Sequence, residues 1–136
     1  MGGKTMTRPF RHGGSEEVLV DDLTRTQIVQ YAGASGDFNP IHTDEAFATE
    51  IAGRKTVMAH GMLTMGLVAR ALSRLVDQQS IRTFGGRFKQ PVWPGDTLTL
   101  RVTPGEIADA VIHMELAVTN GDGHPVFTGY ATVGTE

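Results

Sequence analysis

The sequence predicts an α+β fold in which an antiparallel sheet wraps around a central helix. Three observations carry this. A long, nearly all-apolar helical stretch runs from about His60 to Asp77. After Gln79 the pattern changes to short runs of β-formers divided by turn residues. A helix apolar on most sides must be covered by other layers, and a run of strands that follows it can supply the cover.

The elements follow in order. Met1 to Ser15 is rich in glycine and basic residues, lacks a period, and reads as a disordered tail; residues 16–136 read as one domain. Glu16 to Val20 suits a short strand ending at Asp21-Asp22. Thr24-Arg25-Thr26-Gln27 has the form of a capping box, so a helix is expected from Arg25 to Ala34, loosening at Gly33 and Gly36. After a loop, Thr43 is placed to cap a second short helix with Asp44 and Glu45 in its first turn. In the main helix Gly66 and Ala69 are small enough for a strand layer to approach closely. Strands are expected over Ile81–Gln90, Asp96–Thr103, Ala110–Asn120 and Pro125–Val133. The turns between them are Pro91 to Gly95, Pro104-Gly105 and Asn120-Gly121-Asp122-Gly123.

Composition narrows the function. The chain has 136 residues, 40% hydrophobic and 20% charged, with a net charge of −3 and no basic run. Neither a nucleic-acid footprint nor a polybasic membrane patch is present. No apolar segment approaches the ~20 residues that cross a bilayer, and the N-terminus has no signal-peptide core. A cytoplasmic protein is expected. With no cysteine there is no thiol nucleophile or thiolate metal site. Dinucleotide and Walker glycine patterns are also missing.

Two stretches stand out as chemistry. Tyr31 to His42 reads Y-A-G-A-S-G-D-F-N-P-I-H, and Pro40 keeps Asn39 out of the α region. Asp37 and His42 therefore sit on a loop, where a carboxylate and an imidazole can share a water. The same Asp also suits a plain Asx turn, and spacing alone leaves both roles open. Ala59 to Gly66 reads A-H-G-M-L-T-M-G, with Gly61 in the first turn of the main helix. Backbone N–H groups there lack intrahelical acceptors and lie at the positive end of the dipole, although a glycine can equally ease the helix against the sheet.

These segments, with Arg87-Phe88-Lys89-Gln90-Pro91-Val92-Trp93-Pro94-Gly95-Asp96-Thr97-Leu98, resemble the MaoC-like dehydratases, also called R-specific enoyl-CoA hydratases, which have the hotdog fold. The likeness runs from about Leu23 onward and extends to the mycobacterial hydroxyacyl-carrier-protein dehydratase subunits of that family. It implies a hydro-lyase that interconverts trans-2-enoyl and R-3-hydroxyacyl thioesters, with Asp37 and His42 as the acid–base pair and Gly61 as the oxyanion site. Asn39 and His60 would support them, and Arg87 and Lys89 would meet substrate phosphates. It further implies no cofactor, no metal, and a substrate carried on coenzyme A or acyl carrier protein. The partner would be a second copy or another hotdog subunit. The rival readings are the catalytic subunit of a hetero-oligomeric dehydratase for long-chain or steroid side-chain acyl thioesters, a hotdog thioesterase and a non-catalytic acyl-binding subunit.

Overall fold

A computed structural model describes residues 14–135; residues 1–13 of the expected tail lie outside the described residues. Five strands form one sheet: β1 (Ser15–Val20), β2 (Ile81–Phe88), β3 (Leu98–Ala108), β4 (Val111–Thr119) and β5 (Pro125–Gly134). Their order across the sheet is β1-β3-β4-β5-β2, and every neighbouring pair is antiparallel. Helix α1 spans Arg25–Ser35 and helix α2 spans Gly61–Leu75. This is the hotdog arrangement, a helix lying in a curled sheet.

One face of the sheet makes the core. Leu98, Leu100 and Val102 of β3, Met114, Leu116 and Val118 of β4, and Phe127, Ala131 and Val133 of β5 are buried with Val68, Ala71 and Leu72 of α2. The alternation of buried and exposed residues along β4 follows from the two-residue period of a strand with one covered face. β1 and β2 are the outer strands, each bonded to one neighbour among the described residues.

The capping box at α1 forms in full. Thr24 Oγ1 accepts from the Gln27 N–H at 3.0 Å, and Gln27 Oε1 accepts from the Thr24 N–H at 2.9 Å. Gly36 closes the helix at φ 77°, a left-handed conformation that glycine adopts at little cost.

Four local expectations change. Thr43 does not cap the second short helix. Pro40–His42 forms a 3₁₀ turn whose first carbonyl accepts from the Thr43 N–H, and the cap moves one residue on, where Asp44 Oδ1 accepts from the Phe47 N–H at 3.2 Å. Pro104-Gly105 is not a turn: β3 continues through it with a register shift between Pro104 and Ile107. Proline is tolerated there because Val102 is the last β3 residue that pairs with β1, so Pro104 lies past that pairing. The reversal comes at Asp109-Ala110, both at positive φ (53° and 61°), as a tight hairpin turn requires. Finally, α2 is not covered all round in the single chain. Met62, Gly66, Arg70 and Arg74 recur every fourth residue on an exposed stripe, and a Cβ at Gly66 would meet nothing within 4 Å. α2 also stops at Leu75, because Val76 turns extended and is buried.

Candidate active site

Asp37 and His42 come together across the turn that the sequence marks. Asn39 makes that turn. Its Oδ1 accepts from the Ile41 N–H at 3.0 Å, and Pro40 supplies a fixed φ at the first 3₁₀ position. Asn39 therefore shapes the loop and is not part of the cavity wall. Asp37 uses its two carboxylate oxygens differently. Oδ1 accepts from the Asn39 N–H at 3.2 Å, the Asx-turn role, while Oδ2 stands 3.8 Å from His42 Nε2. One carboxylate thus makes the Asx turn with one oxygen and faces His42 with the other.

The separation of 3.8 Å is too long for a direct hydrogen bond, and it lets one water oxygen reach both groups. The orientation of His42 sharpens this. Its Nδ1 lies 2.7 Å from the Met58 carbonyl oxygen, which can only accept, so Nδ1 carries a proton. In the neutral ring Nε2 then presents a lone pair toward Asp37. Two acceptors face one small space, matched to the two O–H bonds of a water molecule.

His60 underlies both groups. It is 2% exposed and stacks on His42 with ring centroids 3.7 Å apart and planes 20° apart. Its Nε2 lies 3.0 Å from the backbone carbonyl oxygen of Asp37 and so donates to it. Tyr31 sets its ring edge against His60 at 4.8 Å between centroids. The His60 side chain thus touches the main chain of one catalytic candidate and the ring of the other. Its Nδ1 is buried without a hydrogen-bond partner.

Gly61 opens α2 directly after His60, so its N–H has no acceptor within the helix. A Cβ there would stand 3.1 Å from the ring of Phe88, at the end of β2. A cavity of about 340 Å³ lies on this side, with Asp37, His42 and Gly61 along one wall and Tyr31, Ser35 and Met62 around them. Sequence reasoning did not single out Tyr31, Ser35 or Phe88 as site residues. Phe88 had a signal, an aromatic beside Lys89 in the third resembling segment, but only the packing of β2 against the start of α2 sets its ring beside Gly61.

Arg87 and Lys89 part company. Phe88 pairs with Phe127 on the core face, so Arg87, opposite Thr128, points from the other face beside Tyr130. Lys89 instead borders a second cavity on the far side of Gly61. Asp37, His42 and His60 offer nitrogen and oxygen atoms within 4.8 Å of one another. Two of these donors belong to the stacked imidazole rings of His42 and His60. Among the described residues, no helix is long and apolar enough to cross a membrane.

Comparison with known proteins identifies the family. The sequence profile described as MaoC like domain matches residues 11–126. The 3-hydroxyacyl-thioester dehydratase Y of Mycobacterium tuberculosis is 34% identical over 116 residues, which cover 83% of this chain and 39% of that protein. The 3-hydroxybutyryl-CoA dehydratase of Methylorubrum extorquens is 32% identical over 117 residues, covering 83% of this chain and 73% of that one. The unliganded R-hydratase PhaJ1 of Pseudomonas aeruginosa superposes with a TM-score of 0.78 at 28% identity, covering 88% of this chain and 77% of that chain. This chain spans well under half the length of the mycobacterial dehydratase. The chain belongs to the family of MaoC-like domains.

Proposed function

We propose that the chain is a hydro-lyase that adds water reversibly to a trans-2-enoyl thioester to give the R-3-hydroxyacyl thioester. The carrying observation is the pair of acceptors, Asp37 Oδ2 and His42 Nε2, 3.8 Å apart beside the first N–H of α2. In the hydration direction, a water held between the two acceptors attacks C3 and gives up a proton to one of them. The C2=C3 pair moves toward the thioester carbonyl, whose oxygen gathers negative charge at the Gly61 N–H. Collapse of that enolate takes a proton at C2, returned from the same pair, so one water is added and nothing else is consumed. General acid–base help of this kind contributes about 10²–10⁴-fold, and an oxyanion donor typically a further ~10²–10³-fold. The carboxylate, imidazole and amide cover every proton and charge in the cycle, so the reading requires neither metal nor prosthetic group.

The carrier is coenzyme A or acyl carrier protein, and the functional unit pairs this chain with a second copy or another hotdog subunit. The outer edge of β2, bonded only to β5 among the described residues, favours such pairing. Size-exclusion chromatography of the purified chain separates the two arrangements, because a stable, active homodimer contradicts the need for a different subunit. The thioesterase rival is tested with the same substrate. Incubation with crotonyl-CoA should yield R-3-hydroxybutyryl-CoA and no free thiol; thiol release without hydration contradicts the hydro-lyase reading.

A further inference from the structure

Resting on that reading, we propose that Ser35 is a third contact of the attacking water, donating its hydroxyl hydrogen to the oxygen that Asp37 and His42 hold. The need follows from the two acceptors. Asp37 Oδ2 and His42 Nε2, 3.8 Å apart, take both protons of the water between them and give its oxygen no hydrogen bond in return. Of that oxygen's two lone pairs, one goes to C3. The other loses its solvent partner once substrate fills the cavity, and a desolvated acceptor without a donor is costly.

Four side chains around the cavity carry a donor: Tyr31, Ser35, His42 and His60. The two histidines have spent theirs, His42 Nδ1–H on the Met58 carbonyl and His60 Nε2–H on the Asp37 carbonyl. Ser35 is the last residue of α1 and belongs to the bonding pattern of the loop. Ser35, Asp37 and Asn39 each accept from the N–H two residues farther on, at 3.1, 3.2 and 3.0 Å. The first of these bonds ties Ser35 Oγ to Asp37 and uses only an oxygen lone pair. The hydroxyl still has its own hydrogen to give, and no acceptor takes it among the described residues. Tyr31 stands one turn earlier on α1, with its ring edge against His60 rather than bonded to the Asp37 loop. In the reverse reaction the 3-hydroxyl oxygen occupies the place of the water, and the same Ser35 contact steadies the charge it gathers as the C3–O bond breaks. Ser35 keeps its proton throughout, so the cycle still adds or removes one water and nothing else.

The test separates contact with that oxygen from support of the loop, because Ser35→Ala removes both. R-3-hydroxybutyryl-CoA and butyryl-CoA differ only in the 3-oxygen. Both are titrated calorimetrically into Asp37→Asn and into the double variant Asp37→Asn with Ser35→Ala, the first substitution suppressing turnover. Loss of Ser35 should weaken the hydroxyacyl thioester about threefold to tenfold, the usual size of one hydrogen bond, and leave butyryl-CoA unchanged. In the otherwise wild-type chain, Ser35→Ala should lower kcat for crotonyl-CoA about tenfold, and Ser35→Thr, which restores the hydroxyl, should recover most of it. Equal weakening of both ligands assigns Ser35 to the loop alone and overturns the proposal. So does a selective loss of the hydroxyacyl thioester in Tyr31→Phe instead of Ser35→Ala. If wild-type protein hydrates crotonyl-CoA while Ser35→Ala matches it in rate and binding, only the Ser35 contact fails. If the binding selectivity holds and wild type does not hydrate, only the hydro-lyase reading fails; absence of both overturns both.

Discussion

The imidazole of His60 lies flat beneath that of His42, 3.7 Å between centroids, while its Nε2 holds the Asp37 backbone carbonyl at 3.0 Å. One buried side chain therefore fixes the positions of both catalytic candidates, though they belong to a loop whose own side chains are partly exposed. The fixed ring of His42, with Nδ1 committed to Met58, leaves only Nε2 for chemistry.

His60 is accordingly a positioning residue, and its two contacts can be separated. His60→Phe keeps a ring under His42 and loses the N–H to Asp37; His60→Gln keeps a donor and loses the stack. Both should lower kcat by up to about 10², because small misplacements of reacting groups are that costly. KM should change little, since His60 is beneath the pair. A rise in KM at constant kcat contradicts the positioning role.

His42→Ala should reduce hydration by about 10²–10⁴-fold. It also removes the upper half of the stack and the bond to Met58, so thermal denaturation should show a lower Tm than for wild type. His42→Gln retains a donor for the Met58 carbonyl and should recover much of the Tm without recovering the rate. Recovery of both contradicts the role given to Nε2.

Gly61→Ala places a methyl group 3.1 Å from the Phe88 ring, and the ring must yield by a few tenths of an ångström. Because Phe88 is half exposed, the stability cost should be small, while hydration should fall by about 10²-fold through disturbance of the oxyanion site. The double variant Gly61→Ala with Phe88→Leu should regain activity if the clash is the cause. Steady-state kinetics of the three proteins checks this.

Glu45 carries a pH dependence outside the site. Hydrogen bonding from the Thr56 hydroxyl, then from Arg25, holds its carboxyl below the ordinary value of 4.5, against a smaller opposing effect of burial. Glu45 Oε1 lies 2.7 Å from Thr56 Oγ1 and 3.0 Å from Arg25 Nη1, tying α1 to the segment that leads into α2. A depressed carboxyl stabilises the folded state above its unfolded value, and that stabilisation is lost as pH falls through the folded value. The Tm advantage of wild type over Glu45→Gln should be present at neutral pH and vanish on acidification below 4.5. The group is well exposed, so the difference should be small and shrink with added salt.

What the sequence made legible was what local chemistry fixes. Gly36, Asn39 and Pro40 specify the loop, and Thr24 with Gln27 specifies the start of α1, in each case through bonds within a few residues. The facing of Asp37 and His42 follows from the loop turns, and Gly61 opens α2 because His60 before it is extended. Longer-range placement was less visible. Pro104-Gly105 has turn composition, yet lies in β3 beyond its pairing with β1, and the true turn at Asp109-Ala110 uses an alanine in a conformation that sequence statistics disfavour. Neighbours on a strand face opposite ways, but which of Arg87 and Phe88 turns to the core depends on the pairing of β2 with β5, which neither segment reveals alone. The stack of His60 on His42 joins residues 18 apart and has no local signature.

The central claim is that Asp37 and His42 activate water for a conjugated thioester. The measurement that tests it most directly is the loss of enoyl-thioester absorbance when crotonyl-CoA is mixed with the purified chain, with Asp37→Asn assayed beside it. Asparagine keeps the Asx-turn acceptor and removes the charge, so the fold should persist. Rapid loss of absorbance for the wild type and a fall of about 10²–10⁴-fold for Asp37→Asn is the expected result. Hydration that proceeds undiminished in Asp37→Asn contradicts the account.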